Sequence, residues 1–208
     1  MKTRSKVLSL VLAGTLIVSA GMFGTLAYLT DTQTVTNTFT VGDVAIKLDE
    51  AKTDLNGDAV ESGERTEEGN EYKIFPGGTY TKDPTVTVEE GSEDSYLFVK
   101  VENGIANIEI EAENQEKDTI AEQMAANGWV VVPESDNIYV YTEDGNPAVV
   151  SAGENAVVFE EFSISGSVDG TALAEYKDAT ITVTAYAIQA DGFEGKTAQE
   201  IWAAAGLD

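Results

Sequence analysis

The sequence predicts an all-β protein: an antiparallel β-sandwich with two or three short peripheral helices, preceded by an N-terminal signal helix. Three observations predict it. About ten short runs rich in Val, Ile, Thr, Tyr and Phe are separated by Gly, Pro and Asn-Gly turn signals. Helix signals are few: two Thr-x-x-Glu capping boxes and one short run of helix formers. The chain also opens on a basic, then apolar, then small-residue leader of the secretory kind. No internal repeat of about 20 to 50 residues recurs, so the strands belong to one domain rather than an array.

In the leader, Lys2, Arg4 and Lys6 supply the positive charge, and Val7 to Gly24 carries none. Thr25 and Ala27 place small residues third and first before a cut that leaves Tyr28 as the new N-terminus. The chain therefore divides into a signal peptide (1–27), an N-terminal arm (28–41) and a β-sandwich domain (42–208). The uncharged run is also long enough to span a bilayer, which takes about twenty apolar residues. An uncleaved anchor is thus the alternative, and it is the only membrane contact expected. The small-x-small site directly ahead of a strand favours cleavage and a secreted, extracellular product.

From Thr30 to Thr40 every even position is threonine, while Leu29, Val35, Phe39 and Val41 fall on odd positions. A period of two in β-branched residues reads as a strand with one hydroxyl face and one apolar face. No earlier strand exists for it to pair with. It either folds back on its own domain or pairs with another chain.

The domain follows in order. Asp43 to Glu50 alternates, with Val44, Ile46 and Leu48 on one face. Ala51 to Asn70 is an acidic surface loop. Its Asp54-Leu-Asn-Gly-Asp58 departs from a calcium loop because the glycine comes too early, so an Asn-Gly turn is the reading. Phe75-Pro-Gly-Gly78 turns into Thr79 to Val88, where Pro84 marks an edge or a bulge. Tyr96 to Val101 is nearly continuous apolar sequence and reads as the central strand. Ile105 to Ala112 reads as the next one. Thr119-x-x-Glu122 caps a short helix with Ile120 and Met124 on one face, and Asn127-Gly128 stops it. Strands resume at Trp129–Val132, Ile138–Thr142, Ala148–Val150 and Ala156–Ser165, then a helical turn at 171–176. Thr180 to Ile188 repeats the threonine alternation. Thr197-x-x-Glu200 caps a terminal helix with Ala198, Ile201, Trp202 and Ala205 on one stripe.

Charge and composition exclude several functions. Twelve basic and 37 acidic residues give −25, and loss of the three basic leader residues takes this to −28. Nucleic acid and anionic membranes need basic surface, so neither is an expected partner. Self-association should be helped by salt, low pH or divalent cations. There is no cysteine for a disulfide, a lipid anchor or thiolate chemistry, and no histidine for a catalytic triad or a zinc site. The adjacent pairs Glu89-Glu90 and Glu160-Glu161 would face opposite sides of a strand, which does not suit paired-carboxylate catalysis. No catalytic residue, metal ligand or cofactor site is assigned, and the chain reads as a non-enzyme.

Gly24-Thr-Leu-Ala-Tyr-Leu-Thr-Asp31, Asn37-Thr-Phe-Thr-Val-Gly42 and Val44-Ala-Ile-Lys-Leu48 resemble the TasA/camelysin family, the SipW-dependent secreted proteins of Gram-positive bacteria. Phe75-Pro-Gly77, Lys82-Asp-Pro-Thr-Val86, Tyr96-Leu-Phe-Val-Lys-Val101 and Ala185-Tyr-Ala-Ile-Gln-Ala190 extend the resemblance. It implies a jelly-roll-type sandwich and a structural subunit of biofilm matrix fibres. It also implies a SipW-type signal peptidase acting at Thr25, Ala27 and Tyr28. The freed arm would complete the sheet of the next copy, with Leu29, Val35, Phe39 and Val41 as the inserted face. The resemblance leaves open whether a matrix accessory protein takes part. A camelysin-like peptidase or a monomeric surface-binding module is the other class, and the missing histidine speaks against the peptidase.

Overall fold

The computed structural model describes residues 30–34, 37–39, 44–60, 63–109 and 118–207. They form antiparallel β-sheets with three helices. The first strands are β1 (Thr30–Thr34), β2 (Asn37–Phe39), β3 (Ile46–Ala51), β4 (Arg65–Thr66), β5 (Thr79–Thr81), β6 (Thr85–Val88) and β7 (Ser95–Asn103). Helix α1 (Ile120–Ala126) leads into β8 (Trp129–Val131), β9 (Ile138–Glu143), β10 (Asn146–Pro147) and β11 (Val149–Val150). Then come β12 (Asn155–Val157), β13 (Glu161–Ser163), α2 (Gly170–Ala174), β14 (Ile181–Gln189) and α3 (Ala198–Ala205).

The larger sheet runs β10-β9-β7-β14-β1-β2, with β8 beside β9 and β11 beside β7; the second runs β12-β6-β3-β4. Strands β7 and β14 pair along their whole lengths, from Ser95 opposite Gln189 to Asn103 opposite Ile181. Their alternation sorts the side chains into two cores. Leu97, Val99 and Val101 join Val183, Ala185 and Ala187 on one face, packed with Val44, Ile46, Leu48, Val86 and Val88 of the second sheet. Tyr96, Phe98, Tyr186 and Ile188 occupy the other face, under Ile201 and Trp202 of α3. Burial on both faces is why β7 reads as continuous apolar sequence instead of alternating. The Trp202 ring lies 5.3 Å from Phe98 and 5.1 Å from Tyr186, so the terminal helix docks by its tryptophan, as its stripe predicts.

Both predicted capping boxes form. Thr119 and Glu122 bond reciprocally at α1, as do Thr197 and Glu200 at α3. At α2 the Asp169 carboxylate accepts from the Thr171 and Ala172 amides instead.

Three expected strands are redrawn. Thr79–Val88 breaks into β5 and β6 at Lys82–Pro84, since proline has no N–H to continue the ladder. Ala156–Ser165 breaks opposite it into β12 and β13, and the register carries across, with Thr87 facing Asn155 and Thr81 facing Glu161. Bonds from Val158 N to Pro84 O (2.8 Å) and Lys82 N to Glu160 O (3.0 Å) bridge the gap. Of the third expected strand, Ile105–Ala112, the described part is a set of turns as far as Ile108 and one bridge from Glu109 to Ile164, and 110–112 lie outside the described residues. Ile105 and Ile108 are both buried while Ala106 and Asn107 are exposed, a three-residue spacing that suits a turn rather than a strand.

The Asn56-Gly57 turn forms as expected, with the Asp54 carboxylate accepting from the Asn56 and Asp58 amides. Gly57 has φ +83°, and a Cβ there would lie 2.8 Å from the Tyr80 Cα. Gly57→Ala therefore meets both a left-handed backbone and backbone contact. It is expected to cost about 1–3 kcal/mol, read as a lower urea midpoint.

Candidate functional site

One edge of β14 is fully paired with β7, whereas among the described residues the other is covered from Thr184 to Ile188, by β1. Thr30 stands opposite Ile188, Thr32 opposite Tyr186 and Thr34 opposite Thr184. The odd positions Asp31 and Gln33 stand opposite Ala187 and Ala185, which belong to the core between the sheets. β2 then pairs with the outer edge of β1, Asn37 opposite Thr34 and Phe39 opposite Thr32. The described part of the arm is thus two strands, not the single strand that its unbroken alternation predicts. Folding back covers an edge of β1 that a lone chain would otherwise leave bare.

Beyond Thr184, the outer edge of Ile181–Val183 has no strand partner among the described residues. There a cleft of about 860 Å³ opens, walled by β14 itself, Leu48 of β3, Ile105, Phe162 of β13 and Leu173 of α2. Tyr72 and Phe162 meet edge to face at 5.1 Å, and Phe162 stacks on Tyr80 at 5.0 Å, which makes this wall rigid and apolar. The Tyr72 hydroxyl donates to the Thr81 carbonyl (2.8 Å). Burial, with the Glu50 carboxylate nearby, pushes its ionisation up to about 12.

Asp49, at the cleft, is held in a charged cluster organised by Arg65. Its guanidinium binds the Asp49 carboxylate, the Asp83 carboxylate (2.8 Å), the Asp83 carbonyl (3.0 Å) and the Thr85 hydroxyl (3.0 Å). Burial works against the Asp49 charge. Lys47, 2.6 Å away, and Arg65 outweigh it and hold that carboxyl below its ordinary value. A depressed carboxyl stabilises the fold above its unfolded pKa and loses that contribution as pH falls through the folded one. Arg65→Ala is accordingly expected to cost about 2 kcal/mol at about pH 7. The difference from the parent chain should shrink below about pH 4, as urea midpoints at the two conditions would show.

Of the residues assigned from sequence, Thr25, Ala27 and Tyr28 at the cleavage site, and Leu29, Val35 and Val41 on the arm, lie outside the described residues. Phe39 ends β2, opposite Thr32 of β1. Sequence reasoning missed the open edge at Ile181–Val183 and the cluster of Glu50, Lys82 and Asn70 that lines the same cleft. The one signal for the latter was Lys82-Asp83-Pro84, a basic residue at a strand break in an acidic chain. Among the described residues no helix is long and apolar enough to cross a membrane, and no three metal-ligating side chains gather. No protein-family model matches the chain, and neither a curated protein nor a solved structure matches it.

Proposed function

We propose that this chain is a secreted, non-enzymatic structural subunit that assembles into extracellular matrix fibres by donating its N-terminal arm. The single observation that carries the reading is the outer edge of β14, half covered by β1 and half open onto an apolar cleft in line with it. Continued in the same register, Val35 of the arm would come opposite Val183, and Phe39 opposite Ala179. In trans, the arm of one copy would lie along β14 of the next. Main-chain bonds would supply affinity and the odd side chains would supply register. Such head-to-tail pairing does not close on itself, so it propagates as a filament. The resemblance to the TasA/camelysin family supports this reading, and with it a jelly-roll arrangement of the strands and processing by a SipW-type signal peptidase.

The pairing of β1 with β14 of its own chain favours a second reading, a monomeric surface-binding module. Electron microscopy separates the two. Protein beginning at Tyr28 and protein beginning at Val41 are compared with and without calcium at mildly acidic pH. Filaments from the first alone are the expected result. Monomers from both, across salt and pH, would leave the second reading.

A further inference from the structure

On the wall of the cleft a buried amine and carboxylate and a half-buried carboxamide stand in a relation that an ordinary ion pair does not need. Glu50 lies on β3, Asn70 in the loop after β4, and Lys82 between β5 and β6. Glu50 is 5% exposed and Lys82 8%. The Lys82 ammonium donates to Glu50 Oε2, while the Asn70 Nδ2 donates to the other oxygen, Oε1, at 2.8 Å. The second Nδ2 proton goes to the Ala51 carbonyl (2.8 Å), and the Asn70 Oδ1 accepts from the Thr53 amide (2.9 Å). These contacts fix the orientation of the carboxamide.

We propose that Lys82 and Asn70 join in an internal amide cross-link, with Glu50 as the proton carrier. Transfer of one proton along the hydrogen bond from Lys82 Nζ to Glu50 Oε2 gives a neutral amine beside a carboxylic acid. In that form Glu50 Oε2 has taken the proton and Lys82 Nζ carries a free lone pair. Nζ attacks the Asn70 Cγ. The developing negative charge on Oδ1 falls on the Thr53 N–H already bound to it, as in an oxyanion hole. Glu50 passes that proton to the departing Nδ2, and the Cγ–Nδ2 bond breaks to release ammonia. Nζ, which still carries two protons after the attack, gives one to the Glu50 carboxylate, and Glu50 hands it to the ammonia, which departs toward the cleft as ammonium. One lysine ammonium and one carboxamide become one secondary amide and one ammonium ion. Glu50 ends as it began, nothing is oxidised or reduced, and no co-reactant is needed. Holding both partners on one carboxylate makes the reaction unimolecular.

The ordinary alternative is a structural ion pair with a pinned amide, and intact mass tells them apart. The purified full chain is expected to be lighter than its sequence mass by one ammonia, and Glu50→Gln to sit at its own sequence mass. Lys82→Arg keeps the charge but offers no amine nucleophile, so it too should show no loss, with circular dichroism confirming that both variants fold. Lys73 lies between the partners. Trypsin therefore releases Asn70 and Lys82 on separate peptides unless they are bonded, and a branched peptide is the expected product. A wild-type chain at full sequence mass, with the two linear peptides recovered, overturns the proposal. So does an ammonia loss that persists in Glu50→Gln or maps to Asn56-Gly57, where a chain-local imide would form.

Discussion

Replacing Trp129 with alanine is expected to cost about 3–5 kcal/mol, the largest loss from any single side chain considered for this domain. Trp129 is 1% exposed on β8 and belongs to the core between the sheets. Its indole Nε1 donates to the Val157 carbonyl of β12 at 2.8 Å, tying the larger sheet directly to the second one. The ring also lies 5.3 Å from Tyr141 of the neighbouring β9. Alanine would leave a cavity and would also remove the indole donor from the Val157 carbonyl. Trp129→Phe separates the two effects. It retains most of the volume and should lose about 1 kcal/mol for the hydrogen bond, plus a smaller packing term. Urea unfolding gives the test: the midpoint falls in the order Trp, Phe, Ala while the slope stays constant. Equal midpoints for the phenylalanine and alanine variants would mean that the hydrogen bond, not the packing, holds the sheets together.

The strands and helices were mostly legible because each carries its own local signal. The Thr180–Ile188 alternation became β14, shifted by one residue, and the continuous run Tyr96–Val101 lies within β7. Both capping boxes and the Trp202 stripe announced their helices. The failures were of another kind. Ile105 and Ile108 alternate poorly, yet the isoleucines around them suggested a strand; the burial spacing that makes them a turn depends on which sheet passes above. Ala156–Ser165 looked continuous because its break answers Pro84 on the partner strand, and no residue within the segment marks it. The candidate site was half legible. Parity along the arm was readable from sequence, and the register sets odd arm positions opposite the core-facing positions of β14. The cleft was not, since its walls come from β3, the 66–74 loop, β13, α2 and β14. Nor was the cluster on its wall. Among 37 acidic residues nothing distinguishes Glu50 until the fold sets Lys82 and Asn70 on its two oxygens.

A peptide spanning Tyr28–Val41 is expected to bind and stabilise a chain truncated to begin at Val41, which tests arm recognition without requiring a filament. Truncation removes β1 and β2 and bares the whole outer edge of β14. The added peptide offers the five-residue β1 ladder and, beyond it, Val35 and Phe39 for the cleft. A ligand that binds only the folded state at a hundredfold excess over its Kd adds about 2.7 kcal/mol. For a domain of this size that raises Tm by roughly 5–10 °C. Two altered peptides assign the gain. Asp31→Pro with Gln33→Pro removes the two donors that face Ala187 and Ala185 of β14 and should abolish the shift. Val35→Asp keeps the ladder but puts a charge against the apolar wall near Phe162, and should weaken binding at least about tenfold, from the lost burial of one valine and the desolvation of a carboxylate. If Val35→Asp binds as well as the natural sequence, the arm stops at Thr34 and the cleft serves something else. If the natural peptide produces no shift at millimolar concentration, β14 accepts this strand only when it is tethered to the same chain, and assembly by strand donation fails with it.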